Sequence, residues 1–132
     1  MRRSELEAWL GPALDELTRA QITALQREAR IVAQRFPDVD DADLAEAALS
    51  AAVQYILGET TLESAGHARN LAKRAEQRAY AALQQVVIME QRRTGISDVA
   101  ASKASGADRG TIRKMTGKVR ADRRPDLGTS TR

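Results

Sequence analysis

The side chains best suited to a defined chemistry lie together near the end of the chain, where Arg109-Gly110-Thr111-Ile112-Arg113-Lys114 sets three cations within six residues. Residues 91–132 hold 11 Lys and Arg against 4 Asp and Glu, a balance of +7, whereas residues 1–90 hold 10 against 14, a balance of −4. Cations at this density suit a polyanion, because each phosphate neutralised by Lys or Arg releases condensed counterions. The same region adds Lys103, Lys118, Arg120, Arg123 and Arg124 but no aromatic residue, so bases of RNA or single strands find nothing to stack on.

Other chemistries lack their tools. Cysteine is absent and His67 is the only histidine, which excludes a thiolate metal site, a disulfide framework, a cysteine nucleophile and a multi-histidine metal centre. A calcium loop needs oxygens at alternating positions, then a glycine and a distant Glu; in Asp38-Val39-Asp40-Asp41-Ala42-Asp43, Ala42 and Asp43 break that order. These acids read instead as the cap and first turn of a helix, complementing its dipole. No phosphate-cradling glycine loop or nucleophile motif is present, so no catalytic residue, metal or cofactor is assigned and an enzyme is the least supported class.

The elements that must position the cations are helical. Alanine supplies 24 of 132 residues and aromatics only four (Trp9, Phe36, Tyr55 and Tyr80), so the core must be thin and closely spaced. Ser4-Glu5-Leu6-Glu7 fits a capping box for a short helix ending at Gly11. Pro12 suits the start of a second helix, in which Leu14, Leu17, Ile22, Leu25, Ala29, Val32 and Phe36 recur at helical spacing until Pro37. A third helix over 42–57 is expected to place Leu44, Ala48, Ala51 and Tyr55 on one face, with Leu49, Val53 and Ile56 beside them.

Thr60-Thr61-Leu62-Glu63 is a second capping box, opening the longest helix, which runs to about Arg93 before Gly95; Gly66 could delay its start by a turn. Inside it Ala65, Ala68, Ala72, Ala75, Ala79, Ala82, Val86 and Met89 follow the alternating 3 and 4 spacing of a heptad seam. Small residues there permit a close helix partner. The helices at 12–36 and 42–57 cover the seam, a second copy of the chain does, or each covers a different stretch of it. No β-branched run alternates with polar residues, so the fold class is all-α, a helical bundle with a long Ala-rich helix.

After Gly95, Ser97 caps a short helix expected to turn Val99 and Ala100 inward, and Gly106 supplies the left-handed residue that closes it. Asp108 caps a second short helix with Ile112 and Met115 inward, Arg109, Arg113 and Lys114 exposed, and Gly117 at its end. Over residues 83–117 this arrangement resembles the helix-turn-helix superfamily of bacterial, phage and plasmid regulators, in which a turn glycine precedes a buried Ile or Val by six positions, as Gly106 precedes Ile112. Ser102 and Ser105 stand where that superfamily places an alanine and an apolar residue.

The resemblance implies that the second short helix enters a major groove. Arg109, Thr111 and Arg113 would then meet base edges, Gly110 would permit close approach, and Lys103 and Lys114 would meet phosphates. Beyond Gly117, Lys118, Arg120, Arg123 and Arg124 would extend the helix or form a basic arm on the backbone.

The domains read as 1–94, a dimerisation or partner-binding body; 95–124, the helix-turn-helix with its basic extension; and 125–132, a disordered tail. The expectation is a small homodimeric protein that binds double-stranded DNA in a sequence-specific manner and regulates transcription. The competing readings are a helical protein–protein adaptor or inhibitor acting through residues 1–94, and a DNA-packaging or partition component. No apolar run reaches the length of roughly 20 residues that spans a bilayer, and the opening Met-Arg-Arg-Ser leads into Glu5 and Glu7 rather than an apolar signal core, so a cytoplasmic, nucleoid-associated protein is expected.

Overall fold

The structure is a computed structural model that describes residues 1–118. The expectations at Arg120, Arg123 and Arg124, and for the tail 125–132, lie outside the described residues. Within them the fold is all-α: α1 Arg3–Leu10, α2 Arg19–Arg35, α3 Ala42–Ile56, α4 Leu62–Thr94, α5 Asp98–Ser105 and α6 Arg109–Met115, with 3-10 turns at Gly11–Glu16 and Val39–Asp41. No helix among these residues is long and apolar enough to cross a membrane. The chain divides into two compact units within α4, Met1–Arg69 and Asn70–Arg132.

In the first unit, α1 begins earlier than its apparent capping box. Arg2 takes the cap position, and its backbone N–H is received by the Glu5 carboxylate at 2.9 Å, so Ser4 lies inside the first turn. The helix expected from Pro12 to Phe36 is two elements. Gly11–Glu16 is a 3-10 turn, Leu17 is extended, and Thr18 starts α2 with a reciprocal cap: Thr18 Oγ1 accepts from the Gln21 N–H at 3.1 Å while Gln21 Oε1 accepts from the Thr18 N–H at 2.8 Å. The apolar periodicity is blind to this break because Leu17 still points into the core.

That core joins Leu6 and Leu10 of α1, Ile22, Leu25 and Ala29 of α2, and Leu49 and Val53 of α3. Leu6 and Leu25 are fully buried, each contributing about 1.5–3 kcal/mol by leaving water. Asp38 caps the turn before α3, its Oδ1 accepting from the Asp40 N–H at 3.1 Å, as the acidic run suggested. The inward face of α3 is Leu49 and Val53, whereas Leu44 and Tyr55, expected on the main apolar face, are 48% and 70% exposed. The pair at i, i+4 meets α1 and α2, Ile56 packs half-buried beside it, and the broad apolar surface of α3 turns Leu44 and Tyr55 to solvent.

The long helix starts at Leu62, and Gly66 does not delay it. Its cap sits one residue later than the Thr60–Glu63 box: Thr61 Oγ1 accepts from the Ser64 N–H at 3.1 Å, and Ser64 Oγ accepts from the Thr61 N–H at 2.9 Å. The alanines Ala65, Ala68, Ala72, Ala75, Ala79 and Ala82 are all exposed, as are Val86 and Met89 at 62% and 55%.

The second unit is built on a different stripe of the same helix. Tyr80, Leu83 and Val87 of α4 pack with Ile96, Ala101 and Ala107 around Ile112 and Met115 of α6. The sequence places a boundary after residue 94, and this packing joins the last four turns of α4 to α5 and α6. Val87 is the one residue of α4 buried below a tenth of its surface, and Ile112 is fully buried.

Candidate nucleic-acid interface

The local rules that shape residues 95–117 are satisfied one by one. Ser97 caps α5, its Oγ accepting from the Ala100 N–H at 3.1 Å. Gly106 ends it at φ 78°, a left-handed conformation costly for a residue with Cβ. Asp108 caps α6, Oδ1 accepting from the Thr111 N–H at 2.7 Å. Hydrogen bonds from Thr111, and then from the Gly110 N–H, hold the Asp108 carboxyl below its ordinary titration range.

The inward register of α5 differs from the expectation. Ala101 is buried, while Ala100 is exposed and Val99 is 46% exposed. Two serines of α5 are engaged at the turn beside it. Ser102 Oγ donates to the Ala107 carbonyl at 2.6 Å, and Ser105 Oγ accepts from the Ala107 N–H at 3.1 Å. Both hydroxyls serve the backbone of the turn, and Ala101 is the residue of α5 that joins the core.

On α6, Ile112 and Met115 share the buried stripe, and Gly110, Arg113 and Lys114, at i, i+3 and i+4, share the outward face. Arg109 is exposed at the first helical position, Lys103 is exposed on α5, and Thr111 is half-buried on the flank. Among the described residues Lys103, Arg109, Arg113 and Lys114 have no ion-pair partner. A Cβ at Gly110 would lie 3.2 Å from Asp108 Oδ1, so the glycine leaves the capping carboxylate its room.

Lys118 stands apart from the other cations. Its Nζ donates to Asp98 Oδ1 at 3.1 Å, and the same oxygen accepts from Gln91 Nε2 at 2.9 Å. The Lys118 bond first, and the Gln91 bond second, hold the Asp98 carboxyl below the usual carboxylate range. Gln84 Nε2 donates to the Met115 carbonyl at 3.0 Å, satisfying an acceptor that the end of α6 leaves open.

Sequence reasoning passed over Gln84, Gln91 and Asp98 as positioning residues. A signal existed: Gln84, Val87 and Gln91 repeat at spacings of 3 and 4, so the glutamines flank the one buried residue of α4 on a single face. Comparison with protein-family models, with curated proteins and with solved structures found nothing that matches the chain.

Proposed function

We propose that the chain binds double-stranded DNA through the outward face of α6 and does so as a two-fold pair, in the service of transcription regulation in a bacterium, phage or plasmid. The observation that carries this reading is the combination of cations and anchor on α6. Arg113 and Lys114 flank Gly110 in the open without an ion-pair partner among the described residues, while Ile112 and Met115 fix the helix from behind. The guanidinium fork of Arg113 held this way matches the O6 and N7 acceptors of guanine, and the side-chain-free Gly110 one turn before it admits close approach. The pairing rests on α4, whose heptad alanines are exposed along its length.

Titration with random duplex DNA at two salt concentrations tests the reading. If 6 to 10 phosphates are contacted, affinity falls by about 10³–10⁵ between 50 and 200 mM salt. No duplex binding at 50 mM salt sinks it. The exposed seam of α4 would then favour the second reading, a helical adaptor that grips a partner helix without DNA.

A further inference from the structure

The first unit holds an apolar cavity of about 320 Å³ between α1, α2 and α3. Its walls include Trp9 of α1, Phe36 at the end of α2 and Leu49 of α3, so two of the four aromatic residues of the chain line one small space. The room comes from alanine. Ala29 and Ala33 on α2 and Ala45 on α3 line the cavity where longer aliphatic side chains would fill it. The size lies at the lower end of the roughly 300–1,000 Å³ usual for small-molecule sites, which are likewise mostly apolar with a few polar groups.

The charged side chains that line it are both carboxylates, the exposed Asp38 and Glu46, two negative groups against the single α-ammonium of Met1, which also lines the space. Asp38 uses one oxygen to cap the following turn, and neither carboxylate has an ion-pair partner among the described residues. The chain from Phe36 to Ala68 contains no Lys or Arg at all, so the negative field beside the cavity is not cancelled from its own segment. An anionic ligand meets repulsion there, and a neutral one gains only the apolar contact.

We propose that this cavity binds a small organic cation: a protonated or quaternary amine bearing an aryl or short alkyl body. The body replaces water against Trp9, Phe36 and the alanines, and the ammonium group sits at Asp38 and Glu46. Aromatic walls add to the attraction, because ring faces are negative. This site stands independently of the DNA reading, since it lies wholly within Met1–Arg69.

Trp9 is the only tryptophan, so its emission in the full chain reports on the cavity directly. The probes are phenethylammonium, 2-phenylethanol and 3-phenylpropanoate at matched ionic strength and neutral pH. The ammonium is expected to give a saturable change at a concentration about fivefold or more below that needed by the alcohol, with no response to the carboxylate. The Asp38→Asn, Glu46→Gln double variant, in which Asn still serves as a cap, is expected to bring ammonium and alcohol to the same affinity with helix content unchanged. Ala33→Leu, checked for native helix content, is expected to abolish both responses by filling the space. Equal affinity for ammonium and alcohol in the unmodified chain overturns the proposal. So does a preference for ammonium over alcohol that survives the double variant, ammonium binding that survives Ala33→Leu, or the lack of a saturable response to any probe.

Discussion

Lys118 Nζ lies 3.1 Å from Asp98 Oδ1, and this contact ties the residue that follows α6 to the first turn of α5. Gln91 of α4 reaches the same carboxylate, so three consecutive elements converge on one oxygen atom. Lys118 thus already has an anionic partner before any phosphate arrives. Its role differs from that of Arg113 and Lys114, which face outward without one among the described residues.

The tie has a pH signature. The folded-state pKa of Asp98 is depressed below its ordinary value of 3.8, so its contribution to stability is complete above that value and disappears as pH falls through the depressed one. Melting temperatures of the chain and of Asp98→Asn should differ at neutral pH, with Asp98→Asn the less stable, begin to converge below about pH 3.8, where the unfolded carboxyl protonates, and meet once pH has fallen through the depressed folded-state value. A gap that persists undiminished at lower pH would show that the charge of Asp98 is not what the variant removes.

The helix pair α5–α6 should be sensitive at its cap and at its anchor, to different extents. Ser97→Ala removes the acceptor for the Ala100 N–H and should cost about 1 kcal/mol. Ile112→Ala empties a fully buried position and should cost about 2–5 kcal/mol, enough to loosen the second unit. Denaturant melts of the two variants check the order. A larger loss for Ser97→Ala than for Ile112→Ala would mean that Ile112 is not the anchor of α6.

The cations of α6 should divide by role. Arg113→Ala and Arg109→Ala should each cost about 1–3 kcal/mol on a preferred duplex and relax discrimination there, whereas Lys114→Ala should weaken all duplexes about equally. Binding measured on a preferred and a scrambled duplex separates these outcomes. Unchanged affinity and preference in both arginine variants would remove α6 as the reading element.

Much of this was legible because local chemistry acts over three or four residues. Ser97, Gly106, Asp108 and Ile112 sit where cap, left-handed turn and buried-position rules place them. What periodicity hides is an interruption that keeps its phase: Leu14 and Leu17 remain on the core across the break at Thr18. The register of α5 was hidden for another reason. Ser102 looks like a surface residue until its hydroxyl is seen on the Ala107 carbonyl, a contact set by the turn and not by the helix pattern. The stripe of α4 that packs on α6 was overshadowed by the more regular alanine seam, although Tyr80, Leu83 and Val87 carry the larger side chains.

The seam itself gives the last prediction, and its sign depends on whether a second chain covers it. Ala75 and Ala79 are exposed, so in an isolated chain Ala75→Leu or Ala79→Leu adds a side chain to solvent and changes stability by no more than about 0.5 kcal/mol. Across a close helix pair the added leucine has no room, and overfilling should cost about 1–3 kcal/mol. If α4 pairs two copies, the preferred duplex should also be an inverted repeat with half-sites about one helical turn apart or a multiple of it. Light scattering on the full chain should therefore give a dimer mass that Ala75→Leu or Ala79→Leu shifts toward monomer, with the two-part footprint lost in parallel. A monomer mass for the unmodified chain, together with a leucine variant of unaltered stability and a single unrepeated footprint, would leave the seam without a second copy and return it to the adaptor reading.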